Sequence, residues 1–249
     1  MRGRFDGVGN IVRFNWPMFV STALVAVAAL VAAAVTTSSI WRVAFVLLAA
    51  GLAIGTAVSL VVSHVVYDRS DLYRFAWLGR AVGAATPRDA VFCQTGFDEC
   101  SDRLRAWSRE TRWVLLDHFD PVRMTEPSIR RARAWCPPAP GTLTAPFDRW
   151  PVHDQAADLV IGMLAIHELR ACDERTAWFL EAHRTTRAQG RVIVVEHVRD
   201  LANALAFGPG ALHFHSVATW RRSWERAGLR LRQELPVTPW VRAFVLERA

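Results

Sequence analysis

Asp158-Leu-Val-Ile-Gly162, a helical stretch over residues 174–187, and then Arg191-Val-Ile-Val-Val195 closing on Glu196 and His197 decide the fold. Two short runs, apolar at nearly every position and separated by a helix-length segment, spell strand, covering helix and strand, with the strands buried on both faces. Gln189-Gly190 ends the helix on this reading. The alternation continues in both directions. Upstream stand Ala90-Val-Phe-Cys-Gln-Thr95, a polar-start helix over residues 98–109, the run Trp113-Val-Leu-Leu-Asp117, a basic helix over residues 128–134, and the loop Cys136-Pro-Pro-Ala-Pro-Gly141. Downstream, a helix over residues 219–227 is capped by Gly228. Segments 229–234 and 242–247 then form a hairpin around Pro236 and Pro239. The expectation is an α/β sheet covered on both faces, mostly parallel, with an antiparallel pair at its end.

The chain opens differently. Residues 14–41 are 28 positions without a charge, and residues 43–67 add 25 in which His64 alone is ionisable. About 20 apolar residues cross the hydrocarbon core, so spans of about 16–36 and 43–66 are expected, paired as a transmembrane hairpin through Thr36-Thr-Ser-Ser-Ile-Trp-Arg42. Gly51 and Gly55 offer a small-xxx-small face for close helix packing. Trp16 and Trp41 lie where indoles favour the interface. Arg2, Arg4 and Arg13 precede the hairpin and Arg69, Arg74 and Arg80 follow it, against Arg42 alone in the link. The positive-inside rule then puts both ends in the cytoplasm of a bacterial inner membrane, with bilayer contact through residues 14–67. A cleaved signal peptide fits poorly, because its apolar core is about 7–15 residues and a second span follows here. A buried helical pair of a soluble core is the remaining reading. Residues 68–88, with Leu72, Phe75, Ala76 and Leu78 among Asp71, Arg74 and Arg80, read as an amphipathic linker helix. That leaves residues 1–67 as arm and hairpin and residues 89–249 as the main domain.

Composition narrows the class. The 249 residues are 52% hydrophobic, which excludes a disordered chain. The four cysteines, Cys93, Cys100, Cys136 and Cys172, show no CxxC pairing, which excludes a disulfide scaffold and a zinc knuckle and suits reduced thiols. All 30 basic residues are Arg, so no lysine is available as base, Schiff-base former or phosphate ligand. The net charge of +7 divides into +3 on residues 1–67, from four Arg and one Asp, and +4 on the rest, from 26 Arg and 22 acids. Flank charge and interspersed acids argue against nucleic acid as a partner. Arg130, Arg131 and Arg133 suit phosphate or anionic head groups, or simply a solvated face.

Three passages, in order and spacing, carry a resemblance. They are Trp150-Pro-Val-His153 on through Ala165-Ile-His-Glu-Leu169, then His183-Arg-Thr-Thr-Arg-Ala-Gln-Gly-Arg-Val-Ile-Val-Val-Glu196, then Trp220 and Trp224-Glu-Arg-Ala-Gly-Leu229. Together they resemble the passages into the fourth strand, the fifth strand and the terminal strand pair of class I S-adenosylmethionine-dependent methyltransferases. The resemblance covers residues ~145–249. It implies a seven-stranded Rossmann-like sheet, mostly parallel with its last strand antiparallel, and S-adenosylmethionine as cofactor.

The resemblance also implies site residues. Ala90-Val-Phe-Cys-Gln-Thr-Gly-Phe-Asp-Glu-Cys-Ser101 keeps one glycine of the family's first motif, Gly96, with Asp98 and Glu99 where small residues stand in the family. Asp98 would contact the cofactor, or cap a helix. Asp117 or Asp120 would bind the ribose hydroxyls, which suit a carboxylate's two acceptor oxygens, or would form a turn. Phe147 and Asp148 would lie near the adenine. On the acceptor side, His197 is the preferred general base, with His167 and Glu196 as further catalytic candidates. The alternative for these histidines is packing at strand–helix junctions. No metal site is assigned. His213-Phe-His215, with Glu196 or His197, has ligand-like spacing, yet the segment from Ala206 to His215 reads more plainly as a pocket lid or membrane-facing loop. The Glu196-His-Val-Arg-Asp200 string resembles membrane-anchored methyltransferase-like proteins that act on small thiols or lipophilic acceptors. The function expected is membrane-anchored methyl transfer to a small or lipid-like acceptor. The alternative is an inactive methyltransferase-like domain serving as a tethered binding or scaffold protein, motivated by the eroded glycine motif.

Overall fold

A computed structural model describes residues 3–83 and 86–249. Arg2 of the expected basic flank and Ala84-Ala85 of the expected linker lie outside the described residues. The amino-terminal arm is helical, α1 (Asp6–Phe14). Then come α2 (Trp16–Val35) and α3 (Ser39–His64), close to the expected spans and packed on each other. Each has a mean hydropathy of 2.5 and only 11% of its apolar window buried. Leu24, Val27, Leu30, Leu47, Ile54 and Val61 are all exposed, unlike the mostly buried apolar face of a core helix. Both helices are therefore long and apolar enough to cross a membrane. The expected glycine contact is not made within the pair. A side chain added at Gly51 or Gly55 would meet open space, and the buried positions are Ala29, Ala33 and Ala49, with Val62 and Ser63 at the end of α3. Arg42 is helical rather than in the link, and donates to the Thr36 carbonyl at 3.0 Å.

The end of α3 leads into the domain. A π turn (Val65–Arg69) follows, and Asp68 there accepts from Gly7 N at 2.7 Å, Val8 N at 3.0 Å and His64 Nδ1 at 2.9 Å. A carboxylate at the start of α1 satisfies amides that have no partner inside the helix, so α1 is pinned back onto the hairpin. The linker contains one short helix, α4 (Ala76–Val82). Its Trp77 and Leu78 are fully buried, with Val66, Leu72 and Phe75 beside them.

The remaining elements are β1 (Asp89–Gln94), α5 (Ser101–Trp107), β2 (Arg112–Asp117), α6 (Pro127–Trp135), β3 (Leu143–Thr144), β4 (Ala157–Met163), α7 (Cys172–Thr185), β5 (Thr186–His197), α8 (Leu201–Phe207), α9 (Val217–Arg226), β6 (Leu229–Pro236) and β7 (Val241–Arg248). One seven-stranded sheet has the order β3-β2-β1-β4-β5-β7-β6, with β7 antiparallel to both neighbours and the β3-to-β5 pairs parallel. This is the expected sheet. Alternation along the strands sorts the core. Val91, Cys93, Leu116, Val160, Val192, Val194 and Phe244 face α7 and α9, where Trp178, Phe179, Trp220 and Trp224 have no exposure. Ala90, Phe92, Leu115, Ile161, Ile193, Val195 and Val245 face Leu104 and the 62–82 stretch. The tail of the hairpin thus covers one face of the sheet.

Two boundaries differ from expectation. The helix at 98–109 is shortened to α5, because Asp98 Oδ1 accepts from Cys100 N at 3.0 Å and Ser101 N at 2.9 Å and holds the preceding residues in a turn. Gln189-Gly190 does not end a helix. α7 stops at Thr185, and residues 186–190 already belong to β5, with a register shift where Ala157 faces Thr186 and Leu159 faces Arg191. Gly190 is needed there for close approach, since a Cβ would sit 2.9 Å from the Asp158 carbonyl oxygen and 2.6 Å from Thr186 Cγ2.

Candidate functional site

The carboxyl ends of β1, β2, β4 and β5 share one edge of the sheet, the edge where open α/β sheets bind ligands. β1 ends at Gln94, in register with Asp117 of β2. Gln94 is buried, and neither its amide oxygen nor its nitrogen has a partner among the described residues. Gly96 follows with φ of 87°, and a Cβ on it would lie 2.8 Å from the Phe119 ring, so both conformation and space require glycine. Asp117 is fully buried. Its Oδ1 accepts from Gly96 N at 2.9 Å and Phe119 N at 3.0 Å, and its Oδ2 pairs with Arg133. The Arg133 guanidinium lies over the Phe119 ring, 4.6 Å from its centroid.

Gly96 and Asp117 are therefore brought together, with Asp98 on the same loop. Asp98 Oδ2 is buried without a partner among the described residues. Asp120 is drawn elsewhere, accepting from Val122 N at 2.8 Å and pairing with Arg123 at 3.4 Å. Phe147 is buried beneath the same Arg123, 5.4 Å from its guanidinium, and Asp148 is exposed. His118 donates from Nδ1 to the Ala145 carbonyl at 2.9 Å and stacks on Trp150. Burial holds its pKa down at about 4, so it is neutral, and its Nε2 has no partner among the described residues.

The turn after β4 is organised by Glu196. Leu164 takes a left-handed φ of 50°, unusual for a branched side chain. It swings the next three amides onto Glu196 Oε1, from Ala165 at 3.1 Å, Ile166 at 2.9 Å and His167 at 3.2 Å. Glu196 Oε2 lies 2.7 Å from His167 Nδ1. His167 Nε2 is 3.5 Å from Glu168 Oε1, and His213 Nε2 reaches the same oxygen at 3.8 Å. Burial opposes the charge on His167, but Glu196 and Glu168 outweigh it and lift its pKa to about 10. Burial opposes ionisation of Glu168 too, and the two histidines hold its carboxyl well below the usual range.

His197 sits apart from this cluster. The Asn203 amide nitrogen donates to Asp200 Oδ1 at 3.1 Å and to the Trp240 carbonyl at 3.1 Å, so its oxygen faces His197 Nδ1 at 2.9 Å and accepts that proton. The lone pair on Nε2 then accepts from the Tyr67 hydroxyl at 3.0 Å. The ring stacks on Phe214 at 4.8 Å, and burial lowers its pKa to about 4. His215 also leaves His213. It is buried, and accepts from Arg175 Nη1 at 3.1 Å. Gln94 and Tyr67 belong to the site without any motif to announce them, whereas the sequence marks Arg133 and His213 for other roles. For Gln94 the available signal is a polar amide closing an apolar run.

No protein-family model matches the chain, and no curated protein matches it in sequence. Solved structures do. A SAM-dependent methyltransferase from Aquifex aeolicus superposes with a TM-score of 0.51 at 13% identity, over 71% of this chain and 90% of that one. The mitomycin 7-O-methyltransferase MmcR superposes with a TM-score of 0.54 at 16% identity, over 100% of this chain and 74% of that one. The fold is that of the class I S-adenosylmethionine-dependent methyltransferases.

Proposed function

We propose that the chain binds S-adenosylmethionine at the carboxyl ends of β1 and β2 and transfers its methyl group to a small, lipophilic acceptor at the cytoplasmic face of a bacterial inner membrane. The observation that carries this reading is the set of buried polar atoms without partners, the Gln94 amide and Asp98 Oδ2, at the ligand edge of a methyltransferase sheet. Buried polar groups are nearly always paired, so an orphaned group at such an edge suits a polar ligand. The residues present fit the cofactor. Gln94 and Asp98 would hold its methionine part, Gly96 admits the loop, Asp117 would take the ribose hydroxyls, and the loop at Phe147 and Asp148 would border the adenine. When bound, the cofactor supplies an electrophilic methyl group.

The chain's own part is alignment and proton handling. Glu196 fixes the His167 ring through Nδ1, and Glu196 and Glu168 together keep that ring protonated at neutral pH, so it presents a positive charge on the acceptor side. Tyr67 and Asn203 occupy both nitrogens of His197, so His197 braces the hairpin's tail against β5. The hairpin brings the domain to the bilayer, where a lipophilic acceptor partitions. Calorimetry on the full chain in detergent micelles tests the reading. S-adenosylmethionine should bind, and Asp117→Asn should weaken it about tenfold or more, since a hydrogen bond to a charged group contributes roughly 1.5–3 kcal/mol. Silence at millimolar cofactor would sink it. One observation favours a second reading, a tethered binding domain without methyl transfer, because Arg133 already holds the oxygen of Asp117 that a ribose would need.

A further inference from the structure

We propose that His167, Glu168 and His213 form a binding site for a divalent transition-metal ion. The three ligand atoms lie within 4.8 Å of one another. Both Nε2 atoms converge on one carboxylate oxygen, at 3.5 Å and 3.8 Å. Around a tetrahedral zinc-type ion with bonds near 2.0–2.1 Å, neighbouring ligand atoms are ~3.4 Å apart, so those two edges need a few tenths of an ångström and the third, between the ring nitrogens, must close from within 4.8 Å by a side-chain rotation. The rings meet edge to face at 5.3 Å and 78°, which lets both nitrogens address one point without the rings clashing.

The outer partners match as well. A metal-bound histidine almost always gives its other ring nitrogen to a carboxylate or carbonyl, which sets tautomer and orientation. Here both do. His167 Nδ1 is 2.7 Å from Glu196 Oε2, and His213 Nδ1 is 3.3 Å from Glu126 Oε1. Arg170 Nη1 bridges the two segments through main-chain carbonyls, to His167 O at 3.1 Å and His213 O at 2.7 Å. Two imidazoles and one carboxylate select zinc, iron, cobalt or nickel over magnesium and calcium. Three protein ligands leave a position open for water or another oxygen donor. The site does not depend on cofactor binding, and an ion on His167 Nε2 would replace the proton that the methyl-transfer reading keeps there.

The test uses the full, tag-free chain in detergent micelles, stripped with a chelator and titrated with Co²⁺, Zn²⁺ and Mg²⁺. One equivalent of Co²⁺ should produce visible d–d absorbance and be displaced by Zn²⁺, with no response to Mg²⁺. His167→Gln and His213→Gln should abolish the signal while circular dichroism shows both folded. Glu196→Gln should weaken binding by about 10–100-fold, and His215→Gln, whose ring is held by Arg175, should leave it unchanged. Absence of a Co²⁺ band in the parent chain overturns the site, as does undiminished binding in both histidine variants. Parallel calorimetry with S-adenosylmethionine reads the cofactor site separately, so either reading can fail alone.

Discussion

Asp117 has no free oxygen in this structure. Two backbone amides hold one and Arg133 holds the other. If a ribose is to reach it, Arg133 must swing away, and the affinity measured for a cofactor includes the cost of that displacement. Arg133→Ala should therefore tighten S-adenosylmethionine about tenfold, equivalent to ~1.4 kcal/mol, while lowering the melting temperature of the ligand-free chain, because a buried carboxylate loses its counter-charge. Calorimetry beside a thermal melt separates the two effects; unchanged or weaker cofactor affinity would remove Arg133 as a competitor. Two other buried groups predict acid lability. His118 and His197 are held near pKa 4 by burial, against about 6.5 in an unfolded chain. Between those values the unfolded chain binds protons that the folded one refuses. The stabilisation is complete above pH ~6.5 and drains away as pH falls towards 4, on the order of a few kcal/mol per histidine. His118→Gln keeps a donor for Ala145 and does not titrate, so melts from pH 7 to 4.5 should show a shallower decline than the parent. An identical slope would show that His118 does not titrate with unfolding.

At the scale of elements, the sequence carried what depends on neighbours and lost what depends on distant partners. Val192 to Val195 and Leu159 to Ile161 read as buried strands because burial on both faces writes itself as an unbroken apolar run. Gly228 reads as a cap because φ there is 75°. Gly190 misled for the same local reason: a glycine after a helical stretch looks like a stop, and its true constraint is the Asp158 carbonyl, over thirty residues upstream. The site divides likewise. Gly96, Asp117, His167 and Glu196 lie at or just after strand ends, and that position, though not their role, is legible in the sequence. His213 joins His167 across the sheet edge, Tyr67 meets His197 from the hairpin's tail, and Arg133 crosses from α6, contacts that no spacing records. Gly190→Ala tests the register argument. A helix terminus would lose little, whereas a strand with no room for a Cβ should lose about 1–3 kcal/mol, read from the unfolding midpoint and localised by faster amide exchange in β4 and β5. A loss within the error of measurement would restore the helix-cap reading.

For the whole molecule, the question is how an apolar hairpin and a domain with a net charge near neutrality make one object. The structure joins them by continuity: α3 runs into the π turn, Asp68 there holds α1, and residues 62–82 close one face of the sheet. If the hairpin spans a bilayer as proposed, attachment of this kind would hold the ligand edge at one distance from it, which suits the proposed lipophilic acceptor. The proposed topology rests on the flanking charges. Arg4 and Arg13 precede the hairpin, and Arg69, Arg74 and Arg80 follow it on the side occupied by the domain, leaving Arg42 alone at the opposite end. A short link such as residues 36–38 obeys the charge bias of its flanks, so Ser38 at the tip should face away from the cytoplasm. A cysteine placed there, Ser38→Cys, should react with a membrane-impermeant maleimide added to intact spheroplasts. Cys136 and Cys172, the two partly exposed native thiols, belong to the domain and should react only after lysis. If the pattern were reversed, with Cys136 and Cys172 labelled from outside and the tip protected, the orientation would be inverted and the acceptor would have to be sought on the other face of the membrane.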